Sequence, residues 1–298
     1  MNEIVTLQSD RLKVEIWTLG ARLNGVWFDG IGSLVDGAAT EEEARGNKKY
    51  NGAVVGPVAN RIADGRAHYF DLEHGDTQLE FEKNENGSTT LHSGSTGTHA
   101  QVWDIVEQTE NTLTLRLELP DGTGGFPGNR TLMAEYSVHG HAFGAVFQAS
   151  SDKPTWINLA LHPYWRLATA GRDGSRLSVS AYGYLPVDET KIPTGRVEPV
   201  TGTKFDLSEL TEPSTEIDHN FCLYPQPLNE PRMRLEGDLG IAMDVVTNAP
   251  GVQIYTGKPI GIAIEPQLWP DAMHHANFPS ILYRPGDFQS SSYRFSRI

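Results

Sequence analysis

An all-β fold, a large antiparallel β-sandwich with few short helices, is what the sequence predicts. Apolar and polar residues alternate with period two over one segment after another, which marks half-buried strands. Clusters of Gly, Pro, Asn and Asp separate those segments. Helix signals are confined to two short stretches, and many strands joined by polar turns suggest packed antiparallel sheets.

The elements follow in chain order. Leu12, Val14 and Ile16 alternate with Arg11, Lys13 and Glu15. A helical turn or two is expected from Thr40 to Arg45, with Thr40 three residues before Glu43 in capping-box spacing. Leu113, Leu115, Leu117 and Leu119 then alternate with Thr112, Thr114, Arg116 and Glu118. Turn chemistry follows at Pro120-Asp121-Gly122 and at Gly124 to Gly128. Leu132, Ala134, Tyr136 and Val138 make the next strand; Phe143, Ala145 and Phe147 make its hairpin partner around Gly140. A second helical turn is expected over Asp206 to Leu210. Ile241, Met243 and Val245 precede the turn Asn248-Ala249-Pro250-Gly251, and Val252, Ile254 and Thr256 follow it. A last turn is expected at Arg284-Pro285-Gly286-Asp287.

No linker, repeat or shift in composition interrupts the chain, so one domain is expected over residues 1–298. All-β sandwiches often reach this length undivided, and a chain this long buries roughly three quarters of its unfolded surface. Cys222 is the single cysteine, which rules out an internal disulfide and reads as a small buried hydrophobe. Met1 to Asp10 lack the basic and apolar regions of a signal peptide, and no apolar run reaches membrane-spanning length. A cytoplasmic protein without membrane association is expected. The sequons at Asn86 and Asn129 then fall in turns. The formal net charge of −14, from 24 basic and 38 acidic side chains, argues against binding nucleic acid.

Among the histidines, His92, His162, His219 and the His274-His275 pair lie in distinctive contexts, none with metal-ligand spacing. His139 and His141 form an HxH pair, but around Gly140 they read as a hairpin turn. Gly122, Gly124 and Gly128 mimic a dinucleotide loop, yet strand-like residues follow where a helix should open. There is no GxSxG elbow and no Walker loop. No metal and no cofactor is expected. Glu265 ends the apolar run Ile262-Ala263-Ile264. A carboxyl at the end of a buried strand suits a general base with a raised pKa, but on these residues alone a salt-bridged strand-end carboxylate is the favoured reading.

Taken in order, these segments resemble the galactose mutarotase (aldose 1-epimerase) family over nearly the whole chain. Asn51-Gly52-Ala53 with Ala59-Asn60-Arg61-Ile62 resembles its N-R-I segment, and Thr90-Leu91-His92-Ser93-Gly94 its L-H-G-G segment. Asp121 to Asn129 is similar to its glycine-rich loop, and Asn158 to Leu167 to its histidine segment. Ile217-Asp218-His219-Asn220-Phe221, Pro250 to Gly257, Ile264-Glu265-Pro266-Gln267, Pro270-Asp271-Ala272 and Phe278-Pro279-Ser280 continue the series. The resemblance implies the large galactose mutarotase-like β-sandwich. It implies Glu265 as catalytic base, His162 as general acid and His92 as a second active-site histidine. It implies Arg61 and Asp218 as sugar-binding residues, with Asn60 and Gln267 beside those motifs as further candidates. Three departures stand near the site: Ser93 for Gly, Arg166 for a neutral amide, and Pro266 inside the E-T-Q segment.

Such a protein interconverts α and β anomers of a free monosaccharide, as a monomer or homodimer, without cofactor. Arg61 would fork onto two hydroxyls and Asp218 would accept from two. Trp165 or Trp269 would stack on the sugar, or else pack in the core. Arg166, four residues after His162, would share its side of a regular strand and tune substrate choice. The alternatives are a hexose-6-phosphate mutarotase with Arg166 on the phosphate, a non-catalytic sugar-binding protein, and a glycoside hydrolase or lyase using Asp218 as second carboxylate.

Overall fold

The computed structural model describes residues 1–71, 75–227, 229–283 and 287–298. It is built almost wholly of antiparallel strands, and the turn expected at Arg284-Pro285-Gly286 lies outside the described residues. An eight-stranded sheet runs in the order Asp104–Gln108, Thr112–Leu119, Arg130–His139, Ala142–Ser151, Phe288–Arg297, Ile241–Thr247, Met233–Glu236, Arg176–Val179. A six-stranded sheet runs Tyr164–Trp165, Ile262–Gln267, Gly251–Tyr255, Asp218–Leu223, Ala181–Tyr184, Glu198–Pro199. A four-stranded sheet contains Ile4–Gln8, Leu12–Trp17, Arg22–Phe28 and Ile31–Gly32.

The alternating segments are strands in the places expected. Thr112–Leu119 buries every second side chain, Leu113 through Leu119, and Arg130–His139 does the same from Leu132 to Val138. One contiguous core joins the three sheets: Leu7, Val14 and Leu23 from the first, Leu115, Leu132, Phe143 and Met243 from the largest, Phe221, Ile254 and Ile264 from the third. Gly251–Tyr255 and Ile262–Gln267 are buried on both faces. Val252, Ile254, Ile262 and Ile264 face that core, and Gln253, Glu265 and Gln267 lie on the opposite face.

Thr40 caps the helix Glu41–Arg45 as expected, accepting the Glu43 N–H at 3.2 Å. Asp206 to Leu210 is not helical. The Asp206 carboxylate accepts from the Gly202 and Ser208 backbone N–H groups and the Ser208 hydroxyl, local bonds that compete with a helix. Gly140 and His141 form the hairpin turn between Arg130–His139 and Ala142–Ser151.

Arg22 is fully buried and donates to the carbonyls of Ala44, Lys48, Lys49 and Asn51. It thereby fixes the loop that carries Tyr50 to the four-stranded sheet. Gly52, at φ 70°, follows, and a Cβ there would lie 2.1 Å from the Leu23 carbonyl oxygen, so only glycine fits. No helix among the described residues is long and apolar enough to cross a membrane.

Candidate active site

Antiparallel register assembles the site on one face of the six-stranded sheet. Residues directly opposite one another share a face. Glu265 pairs with Gln253, and Gln253 with Asn220. One row along, Tyr164 pairs with Ala263, Ala263 with Tyr255, and Tyr255 with Asp218. Glu265, Gln253, Asp218, Tyr255 and Tyr164 therefore project together, while Ile254 and Ile264 project into the core.

His162 reaches this face from the link between the short strands Ala160–Leu161 and Tyr164–Trp165. Its N–H donates to Ala53 O at 3.0 Å and its carbonyl accepts the Gly52 N–H at 2.7 Å. His162 Nε2 stands 3.4 Å from Glu265 Oε1, with both side chains buried. Glu265 Oε2 and His162 Nδ1 have no hydrogen-bond partner among the described residues. Burial drives the two pKa values in opposite directions. It pulls His162 down to about 4. It pushes Glu265 well above the ordinary carboxyl value, reinforced by Asp218 and opposed by Arg61. Each member resists charge, so the pair holds one proton between them and titrates as a unit.

His92 lies beside His162, ring centroids 5.4 Å apart, and Tyr50 packs edge-on against His92 at 4.6 Å and against His99 at 4.8 Å. The Asn60 N–H donates to His92 Nδ1 at 3.0 Å, which fixes the neutral tautomer with its proton on Nε2. Burial, then the neighbouring His162 and His99, hold the His92 pKa well below the ordinary imidazole value. Asn60 serves through its backbone: at φ 67° it also accepts the His92 N–H, and its own Oδ1 takes the Arg61 N–H.

Arg61 enters from the two-stranded sheet Arg61–Ile62 with Thr90–Leu91. Its guanidinium forks onto Glu85, Nε to Oε2 at 2.7 Å and Nη2 to Oε1 at 3.0 Å. Its Nη2 also lies 3.5 Å from Asp218 Oδ2. Asp218 Oδ1 accepts from Gln253 Nε2 at 2.7 Å. Gln267 lies on the same face as Glu265, two residues on, fully buried, with neither amide atom partnered among the described residues.

Of the two readings open for the tryptophans, stacking on the sugar or packing in the core, the surroundings of both side chains fit the core. Trp165 is fully buried, with its ring 5.0 Å from Tyr293 and 5.9 Å from Phe295. It alternates with Tyr164, so the strand that turns Tyr164 to the site turns Trp165 to the core. Trp269 is 6 % exposed, packs against Phe278 at 5.0 Å and donates to Pro250 O at 3.1 Å. Both are core residues. The aromatic rings beside the pair include Tyr164, 5.2 Å from the His162 ring, and Tyr50, stacked on it at 6.3 Å. His219 is also turned away, its ring 4.4 Å from Phe205.

The premise that His162 and Arg166 share a regular strand fails. Pro163 separates two short strands that pair with different partners, Val54–Val55 and Ile262–Gln267. Glu85, Gln253, Tyr50 and Tyr164 were not among the site residues expected from sequence. For Gln253 a signal existed, an amide between Val252 and Ile254 in the middle of an apolar strand. For Glu85 only the fold brings it to Arg61. No three His, Cys, Asp or Glu side chains among the described residues are arranged to hold a metal.

The sequence pattern of the family described as Aldose 1-epimerase matches residues 3–296. Galactose mutarotase of Mus musculus is 34% identical over 313 aligned positions, covering 94% of this chain and 90% of its own. Aldose 1-epimerase of Escherichia coli K12 is 29% identical, covering 86% and 82%. Both names denote isomerases acting on carbohydrates. In fold, the aldose epimerase homologue of C. elegans superposes with TM-score 0.91 at 24% identity over the full length of both chains. The galactose 1-epimerase of Lactobacillus acidophilus gives TM-score 0.83 at 24% identity, covering 100% of this chain and 99% of its own. Matched by that pattern over residues 3–296 and 34% identical to a galactose mutarotase over 94% of its length, this chain belongs to the aldose 1-epimerase family.

Proposed function

We propose that the protein interconverts the α and β anomers of a free aldose, with Glu265 as base and His162 as acid. The observation that carries this reading is the buried Glu265–His162 pair at 3.4 Å. In the charge-separated form of the pair, Glu265 takes the proton of the C1 hydroxyl and His162 gives its proton to the ring oxygen. The C1–O5 bond breaks as the C1 carbonyl forms. Rotation about C1–C2 and reversal of both transfers close the ring on its other face. The pair gives one proton and receives one, so the cycle needs no redox partner and no net proton.

Arg61 favours the ionised form of Glu265 and offers its remaining N–H groups to sugar hydroxyls. Asp218 Oδ2 is an acceptor at the rim. With Oδ1 held by Gln253, Asp218 supports binding better than it supports a hydrolase's second carboxylate. His92, a donor through Nε2, contacts the sugar beside His162.

The test is polarimetry on freshly dissolved α-glucose, α-galactose, xylose and arabinose. Glu265→Gln cannot accept the C1 proton and is expected to lose on the order of 10²-fold or more in kcat. The singly protonated pair is the active form, so kcat/KM follows a bell. Its acid limb falls toward the lowered value of His162, about 4. Its basic limb lies where the pair gives up its only proton. A Glu265→Gln variant within a few-fold of wild type would remove Glu265 from the chemistry.

A further inference from the structure

We infer that Glu85 is a positioning residue of the sugar site: it holds and neutralises Arg61 so that Asp218 Oδ2 stays open to the substrate. This rests on the function proposed above and extends it to a residue outside the family segments.

Glu85 is built in place by a tight hairpin. Asn86 and Gly87, with φ 51° and 67°, are the left-handed central residues of a turn closed by the Ser88 N–H on the Glu85 carbonyl at 3.1 Å, inside a three-residue loop. Glu85 and Thr89 exchange backbone hydrogen bonds across it at 3.2 Å each. The Thr89 hydroxyl donates to Glu85 Oε2 at 3.1 Å, so the carboxylate is oriented before Arg61 meets it. The chain continues into Thr90–Leu91, which pairs with Arg61–Ile62 and brings the hairpin beside the arginine. The fork of two parallel bonds fixes the guanidinium plane as well as its charge. Arg61 and Glu85 side chains are 12% and 22% exposed, so water does little to screen them.

The geometry gives the clamp a purpose. Gln253 already occupies Asp218 Oδ1, and Arg61 Nη2 lies 3.5 Å from Oδ2, just too far for a good hydrogen bond. Without Glu85 the guanidinium is free to close that gap. Asp218 would then have both oxygens engaged before a sugar arrives, and Arg61 would have fewer free donors. Removing Glu85 also takes one of the two acidic partners from Arg61, so the catalytic pair faces one negative charge fewer. That pair is faced by Arg61 and Asp218, by Tyr50, Tyr164 and Tyr293, by His92 and His99, and at longer range by Lys258 and Arg22. Of these, Arg61 is the one whose charge Glu85 balances. Loss of a nearby negative charge favours the less protonated state, so the basic limb of the pH profile, set by Glu265 beside Arg61, moves to lower pH.

The experiment compares wild type, Glu85→Gln and Glu85→Asp by polarimetry across pH, with the Glu265 side-chain carboxyl resonance followed by NMR in the absence of sugar. Glu85→Gln keeps size and loses charge. It is expected to raise KM about tenfold, the loss of about one charge-assisted hydrogen bond, with kcat changed less. It should move the basic limb, and the Glu265 titration, down by about half a unit. Glu85→Asp keeps the charge and should keep that limb near wild type while losing part of the affinity. If Glu85→Gln leaves KM and the Glu265 titration at wild-type values, the inference is overturned. The same holds if both variants merely lower the melting temperature alike. An inactive wild type whose Glu265 titration still moves in Glu85→Gln would sink the proposed function and leave the clamp standing.

Discussion

Ser93 occupies a position where the backbone is left-handed, φ 63° and ψ 24°, between His92 at φ 51° and Gly94 at φ 72°. A side chain at such an angle is strained unless something offsets the cost. Its hydroxyl does so, accepting the Val58 N–H at 2.9 Å and donating to the Val58 carbonyl at 3.0 Å. Those bonds tie the turn that presents His92 to the segment before Asn60 and Arg61. Ser93→Ala keeps the strain and strands two buried backbone groups, a loss of about 1–3 kcal/mol. Ser93→Gly strands the same groups but relaxes the backbone, and should lose less. Urea unfolding midpoints for the two variants check this; equal stability in Ser93→Ala and wild type would contradict the account.

At the scale of elements, the hairpin Gly251–Tyr255 with Ile262–Gln267 decides which face Glu265 occupies. A slip of one residue would turn it from the site into the core. The same alternation sends Tyr164 one way and Trp165 the other. The break at Pro163 matters for Arg166. The charges that act on His162 are those of Lys258 and Arg22, and Arg166 is not among them. Arg166 instead lies at the end of Tyr164–Trp165, with its Cγ close to Gly261. Arg166→Asn is therefore expected to leave kcat/KM on glucose, galactose, xylose and arabinose within about twofold, as for a substitution away from the reacting groups. A selective change toward one of those sugars would restore Arg166 as a determinant of specificity.

For the whole molecule, buried neutral histidines set the response to acid. Burial lowers His99 to about 3, and His162 and His219 to about 4. Each takes a proton more readily in the unfolded chain, so stability falls as pH drops below the unfolded imidazole value of about 6.5. His274 runs the other way. Its hydrogen bond to Asp271 at 2.7 Å, then burial acting against it, leave its pKa raised. That contribution is fully present below about 6.5 and is lost as pH rises through the raised folded value. Asp271 also accepts the Ala63 N–H at 3.0 Å, joining the loop after Glu265 to the loop after Arg61. Asp271→Asn should therefore lower the urea midpoint more at about pH 5.5 than at about pH 8.5. An equal loss at both pH values would exclude a charged His274–Asp271 pair.

The strand pattern, the turns and the order of the polar segments were legible in the sequence by itself. Period-two alternation is a local property that follows from the strand's own geometry, and the chain reads Leu113 to Leu119 or Leu132 to Val138 without help from anything distant. The ordered segments around Arg61, His92, His162, Asp218 and Glu265 carried the family resemblance for the same reason. Which side chains meet was decided only in tertiary structure. Trp165 and Tyr164 are adjacent aromatic residues, and nothing local says which one faces the core. Glu85 lies 24 residues from Arg61, and Gln253 lies 35 residues from Asp218. Their bonds exist because the strand register and the Asn86-Gly87 turn bring them within reach, and register is a relation between strands that no single segment contains.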